Sequence, residues 1–150
     1  MLFRSGLTGL QKLQAVFEAG GRLKSSRKAL MVALLRPWYA DANVLVRERV
    51  NRATIGLLTP LLAGILDEGR RDGTIRVTNP AATAAIVLAM FVASGDTTSR
   101  LFLDRLEGRI AFDDVTAAIG AFDEAIERIL GLPAGSFRLM SDDLLRFWFG

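Results

Sequence analysis

Apolar residues recur along almost the whole chain at steps of three and four, the spacing that gathers them on one face of a helix. Leu10, Leu13 and Phe17, with Val16 on the flank, mark a first helix, and Gly20-Gly21 reads as its end. Ser25 or Ser26 then caps a second helix whose apolar face is Leu30, Met31, Leu34, Leu35 and Trp38, with Pro37 straining or ending its last turn. A third element is predicted from near Asp41-Ala42-Asn43 to about Asp72. Inside it Thr59-Pro60 reads as a cap followed by proline at a first helical position, so a kink or a fresh start is expected there. Leu58, Leu62, Ile65 and Leu66 line one face of the following stretch, Arg70 and Arg71 suit its negative end, and Gly73 closes it.

The same signals return at once. Asn79 as cap and Pro80 as first residue open a helix to about Leu103, roughly 36 Å long at about 1.5 Å per residue. Asp113-Asp114 place negative charge at the start of the last long helix, in which Val115, Ile119, Phe122, Ile126 and Ile129 repeat at steps of four, three, four and three. That is a heptad-like seam, with Ala118, Ala121 and Ala125 allowing close approach beside it, and it fits either an interface with a second copy or ordinary packing within the chain. Residues 133–150 form a tail in which Ser141 caps a short helix carrying Phe147, Trp148 and Phe149, aromatics that need a partner. No alternating strand pattern occurs, and "TIRV" is too short to build a sheet. The predicted fold is all-α, a single helical bundle.

Composition narrows the chemistry. With 150 residues and 51% hydrophobic content the chain supports one packed core. It has no Cys and no His, which excludes disulfides, Cys–His and Ser–His nucleophiles and histidine-based zinc sites within it. Neither a metal nor another cofactor is expected. Ser25 and Lys28 match an S-x-x-K arrangement, but a helix start explains both, and no Gly-rich phosphate loop or calcium loop is present, so the chain is not read as an enzyme. The start lacks the apolar run of a signal peptide, and the chain is read as cytoplasmic. The uncharged stretch Val77–Gly95 is broken by Asn79-Pro80, two Thr and a Ser, and it reads as a buried core helix rather than a membrane span. Charge is uneven: residues 1–50 carry nine Lys/Arg against three acids, residues 101–150 five against nine.

Traces of binding are clearer than traces of catalysis. Phe17, Met31, Leu34, Leu35, Trp38, Met90 and Phe91 come from three helices, and methionine with aromatics makes adaptable walls for an apolar ligand, although the same residues suit an ordinary core. Asp96 follows ten apolar positions and Ser94-Gly95, so its carboxylate must be paired, exposed at an interface or turned toward a pocket, with Arg47, Arg49, Arg52 or Arg100 as partner.

The segment "RPWYADANVLVRERVNRATIGLLTPLLAGILDEGRRDGTIRVTNPAATAAIVLAMFVASGD" resembles the C-terminal effector domain of tetracycline-repressor-like (TetR/AcrR-type) transcriptional regulators. A helix ending in acid, Gly and base, a short G-x-I turn, and Asn-Pro opening a long Ala-rich helix occur in the family's order. The resemblance covers roughly Leu10 to Leu132, and residues 6–132 are assigned to the domain. It implies an all-α effector and dimerisation domain with a small-molecule pocket inside the bundle. It also implies that the last two long helices, Pro80 to about Leu103 and Asp113 to Leu130, form a four-helix interface in a homodimer. DNA would be reached only through an N-terminal helix-turn-helix domain, which is absent from this chain. Residues 1–5, of which "LFRS" is what the end of a sequencing adapter encodes, are expected to be an assembly scar. The alternative from another class is a free-standing helical dimerisation or scaffold protein without a ligand.

Overall fold

The computed structural model describes residues 6–150, so the expected scar at residues 1–5 lies outside the described residues. Six α-helices follow one another, and no strand occurs among the described residues: α1 Gly9–Ser25, α2 Lys28–Tyr39, α3 Val44–Asp72, α4 Pro80–Leu106, α5 Phe112–Leu130 and α6 Asp142–Phe149. A single 3-10 turn, Asp41–Asn43, joins α2 to α3.

Several boundaries follow local chemistry. Thr8 caps α1 by accepting from the Gln11 N–H, and the Gln11 side chain returns the bond to the Thr8 N–H. Gly73, at φ +83°, ends α3 in the left-handed region, and Asn79 caps α4 through the Ala82 N–H with Pro80 behind it, as the sequence predicts. In α5 the Asp114 carboxylate accepts from the Ala111 N–H, placing negative charge at the positive helix end.

Three expectations are corrected. Gly20-Gly21 does not end α1, which runs on to Ser25. Neither Ser25 nor Ser26 caps α2: Ser25 closes α1, the Ser26 hydroxyl donates back to the Leu23 carbonyl, and the N-cap position is Arg27, without a side-chain bond. Of the kink or fresh start expected at Thr59-Pro60, the fresh start does not occur: α3 continues through Pro60 while the Thr59 hydroxyl donates to the Ile55 carbonyl one turn back.

α3 and α4 form the main helix pair, with α1 against α3 and α5 against α4. Two apolar clusters hold them. The larger gathers Leu13 and Phe17 of α1, Leu62, Ile65 and Leu66 of α3, Val87 and Leu88 of α4, and Ile126 and Leu130 of α5, closed by Ile75, Leu132 and Phe137 from connecting segments. The smaller joins Phe102 of α4 and Val115 and Ile119 of α5 to Leu145 and Phe149 of α6. Burying each such side chain stabilises the fold by about 1.5–3 kcal/mol before the entropy of ordering it is subtracted. α2 and the first half of α3 contribute no buried residue to either cluster.

The tail is part of both clusters. Glu127, itself buried, accepts from the N–H groups of Ser136 (2.7 Å) and Phe137 (3.3 Å), and Asp123, one turn earlier, accepts from the Leu139 N–H at 2.7 Å. Gln14 of α1 clamps the Arg138 backbone by donating to its carbonyl (2.9 Å) and accepting from its N–H (3.0 Å). Ser141 caps α6 through the Leu144 N–H. The three aromatics find partners: Phe149 is buried, the Trp148 Nε1–H donates to Ser25 Oγ at 3.0 Å, and the Lys28 ammonium lies 4.5 Å from the centre of the Phe147 ring.

Candidate functional site

The bend between α2 and α3, about 90°, sets up a corner against the middle of α4. Pro37 cannot continue the ladder, α2 stops at Tyr39, and Ala40 is extended. The Tyr39 hydroxyl then reaches α4 and donates to Asp96 Oδ1 at 2.7 Å. Arg47, in the first turn of α3, donates to the Trp38 carbonyl at 2.7 Å and lies 5.1 Å from the centre of the Tyr39 ring. Burial pushes the Tyr39 phenol upward; the Ser99 hydroxyl works against this, Asp96 adds to it, and Arg47 opposes it. The phenol therefore stays protonated and donating at neutral pH. Of the four arginines considered as partners of Asp96, none makes the direct bond; Tyr39 does, and Arg47 takes part through the ring. Tyr39 went unread because an aromatic hydroxyl at a helix end carries no spacing signal.

The structure divides the eight candidate pocket residues. Phe17 is buried in the larger cluster, edge-on to Phe91 (5.1 Å) and Phe137 (5.3 Å), and Met90 and Phe91 pack against that cluster. Leu35, with Val32, packs on the smaller cluster. Met31, Leu34 and Trp38 belong to neither: Met31 and Trp38 are half-buried, and Leu34 is 49% exposed beside Leu30 on the outer face of α2. Asp96 is half-buried at the corner. Two surface depressions stand out. One, about 540 Å³, lies by Arg70, Ile75, Arg76 and Thr78; the other, about 340 Å³, lies by Phe102, Arg105, Trp148 and Phe149. None of the eight residues lines either.

The seam of α5 is also divided. Val115, Ile119 and Ile126 are buried in this chain's own clusters, whereas Phe122 is half-buried and Ile129 is 38% exposed. Phe122 and Ile129 fall in register with Ala118 and Ala125, none of them fully buried, at steps of four, three and four. α4 repeats this pattern with Ala82, Ile86, Ala89 and Ala93, all exposed on the side opposite Ala84, Val87 and Leu88. The core-helix reading of this segment thus holds for one face only. α4 is long and apolar enough to cross a membrane, and 22% of its most apolar stretch is buried inside the chain. No group of three or more acidic side chains suited to a metal ion occurs among the described residues.

No family model matches the chain, and no curated protein or solved structure matches it.

Proposed function

We propose that this chain is the effector-binding and dimerisation part of a tetracycline-repressor-like transcriptional regulator. A small apolar effector would bind at the corner of α2, α3 and α4 and alter DNA binding by a helix-turn-helix domain outside these residues. The observation that carries the proposal is the amount of apolar helix surface this chain leaves uncovered: the outer face of α2 with Leu30 and Leu34, the first half of α3, and the matched stripes of α4 and α5. Such surface marks a binding function or an interface. The order of turn and cap signals in the resemblance adds to it. An effector acts by binding one arrangement of the helices better than the other, and α2, which has no fully buried residue and packs only through half-buried ones such as Val32 and Leu35, is the helix most easily moved.

Thermal denaturation with a library of apolar compounds tests the proposal. A true effector at a hundred times its dissociation constant adds about 2.7 kcal/mol by mass action. Tyr39→Phe, which removes the bond to Asp96, is expected to change that response while the ligand-free fold persists. A library without any stabilising compound counts against an effector site. The absence of the eight candidate residues from either depression favours a second reading, a helical dimer without a ligand, and the same screen separates the two.

A further inference from the structure

Residues 22–52 carry eight Lys/Arg and two acids, Asp41 and Glu48, a difference of six positive charges. The same stretch holds seven of the thirteen large apolar side chains that are exposed. Its acids are few and partly used: Glu48 pairs with Arg52 at 2.8 Å. Arg36 pairs with Glu107 at 3.3 Å, whereas Arg27 and Arg49 meet no carboxylate within ion-pair distance among the described residues.

The placement of Arg27 gives this charge a direction. It is the N-cap residue of α2, and Arg27, Met31, Leu34 and Trp38 follow at steps of four, three and four, with Leu30 alongside. One helix face therefore presents a guanidinium followed by an uncharged apolar track, Met31 to Trp38, about 10 Å long at roughly 1.5 Å per residue. The adjoining face packs on the smaller cluster through Val32 and Leu35. Met31 and Trp38 are half-buried beside the exposed Leu30 and Leu34, so the track is recessed near both ends. A single alkyl chain can follow such a track, whereas a bilayer surface meets only what stands proud.

We infer that the α2 face headed by Arg27 takes a single-chain amphipathic anion, its charged head against Arg27 and its chain along Met31, Leu34 and Trp38. This rests on the effector reading above and names the chemical class. Charge on the ligand supplies orientation, and the apolar track supplies most of the contact.

Calorimetric titration of the full chain with dodecanoate, dodecanol and dodecyltrimethylammonium, each below its aggregation concentration, tests the inference. Dodecanoate is expected to bind at least tenfold more tightly than dodecanol, and the ammonium compound more weakly still. Arg27→Gln, checked for unchanged helicity, should bring dodecanoate down to the level of dodecanol; Leu34→Asn should weaken both. Equal binding of dodecanoate and dodecanol overturns the assignment of class and leaves the effector reading intact. Binding to vesicles of anionic lipid without binding of dodecanoate overturns it in favour of a membrane surface. Binding of none of the three overturns it outright, and only if the thermal library also fails does the effector reading fall with it.

Discussion

Gly9 and Gly69 meet where the start of α1 crosses the end of α3. A Cβ on Gly9 would lie 2.2 Å from Gly69 Cα, and one on Gly69 would fall 2.5 Å from Ile75 Cδ1, so two backbones approach to a distance that no side chain permits. Asp72 exploits this approach, accepting from the Gly9 N–H at 2.7 Å and from the Thr74 N–H at 3.0 Å, thereby tying α1 to the α3–α4 turn. Gly9→Ala should cost roughly 1–3 kcal/mol in urea denaturation, as overpacking against backbone does; an unchanged midpoint would contradict this crossing. Asp123 makes a different prediction. Burial raises its pKa, outweighing the Leu139 N–H and Arg138, which lower it, while Glu127 adds to the rise. The folded chain then holds this proton more tightly than the unfolded one. The contribution of Asp123 is therefore most favourable below the ordinary carboxylate range and is lost as pH rises through its folded-state pKa. Asp123→Asn, which keeps an acceptor for Leu139, should raise the melting temperature at neutral pH, and the gain should vanish in acid. A gain of the same size at both pH values would show that charge burial is not its source.

α6 shows most clearly what a helix adds beyond its own hydrogen bonds. Its Leu145 and Phe149 supply two of the five buried residues of the smaller cluster, Arg105 donates to the Phe149 carbonyl at 3.0 Å, and Lys28 donates to the Phe147 carbonyl at 2.6 Å. Deleting residues 141–150 should expose Phe102, Val115 and Ile119, raise the binding of an apolar dye, and speed amide exchange in α2 and the first half of α5 while α1 and the end of α3 stay protected. Unaltered exchange in α2 would mean that α6 does not support it. The same helix explains a boundary that sequence reasoning missed. A Cβ on Gly21 would meet Leu144 Cδ2 at 3.0 Å, so the glycine leaves room for the tail rather than stopping α1. Each glycine costs a helix about 1 kcal/mol, a local penalty that packing overrides. Signals satisfied within a few residues, such as Asn79-Pro80 and Gly73, were legible in the sequence. Ser25 was not, because its partner Trp148 lies 123 positions away. Asp123 and Glu127 likewise act through partners nine or more positions on, where they hold the tail.

For the whole molecule, the decisive quantity is apolar surface that one copy leaves bare. On α5 the sequence pattern joined residues that the fold separates. Val115, Ile119 and Ile126 turn inward, while Phe122 and Ile129 turn toward the flank shared with Ala118 and Ala125, since one stripe of a helix is too wide for a single neighbour to cover. With Ala82, Ile86, Ala89 and Ala93 on α4 this makes two stripes of equal spacing, small residues with one or two large ones in each, a pattern that suits a four-helix interface between two copies. Phe122→Asp with Ile129→Asp should yield a folded monomer, because neither residue lies in the chain's own clusters. The measurement that bears most directly on this is sedimentation equilibrium of the unmodified chain at micromolar concentration. A dimerisation domain gives twice the chain mass of 16.3 kDa, falling to a single chain mass in the double variant. A single chain mass for the unmodified protein across that range would contradict the assignment.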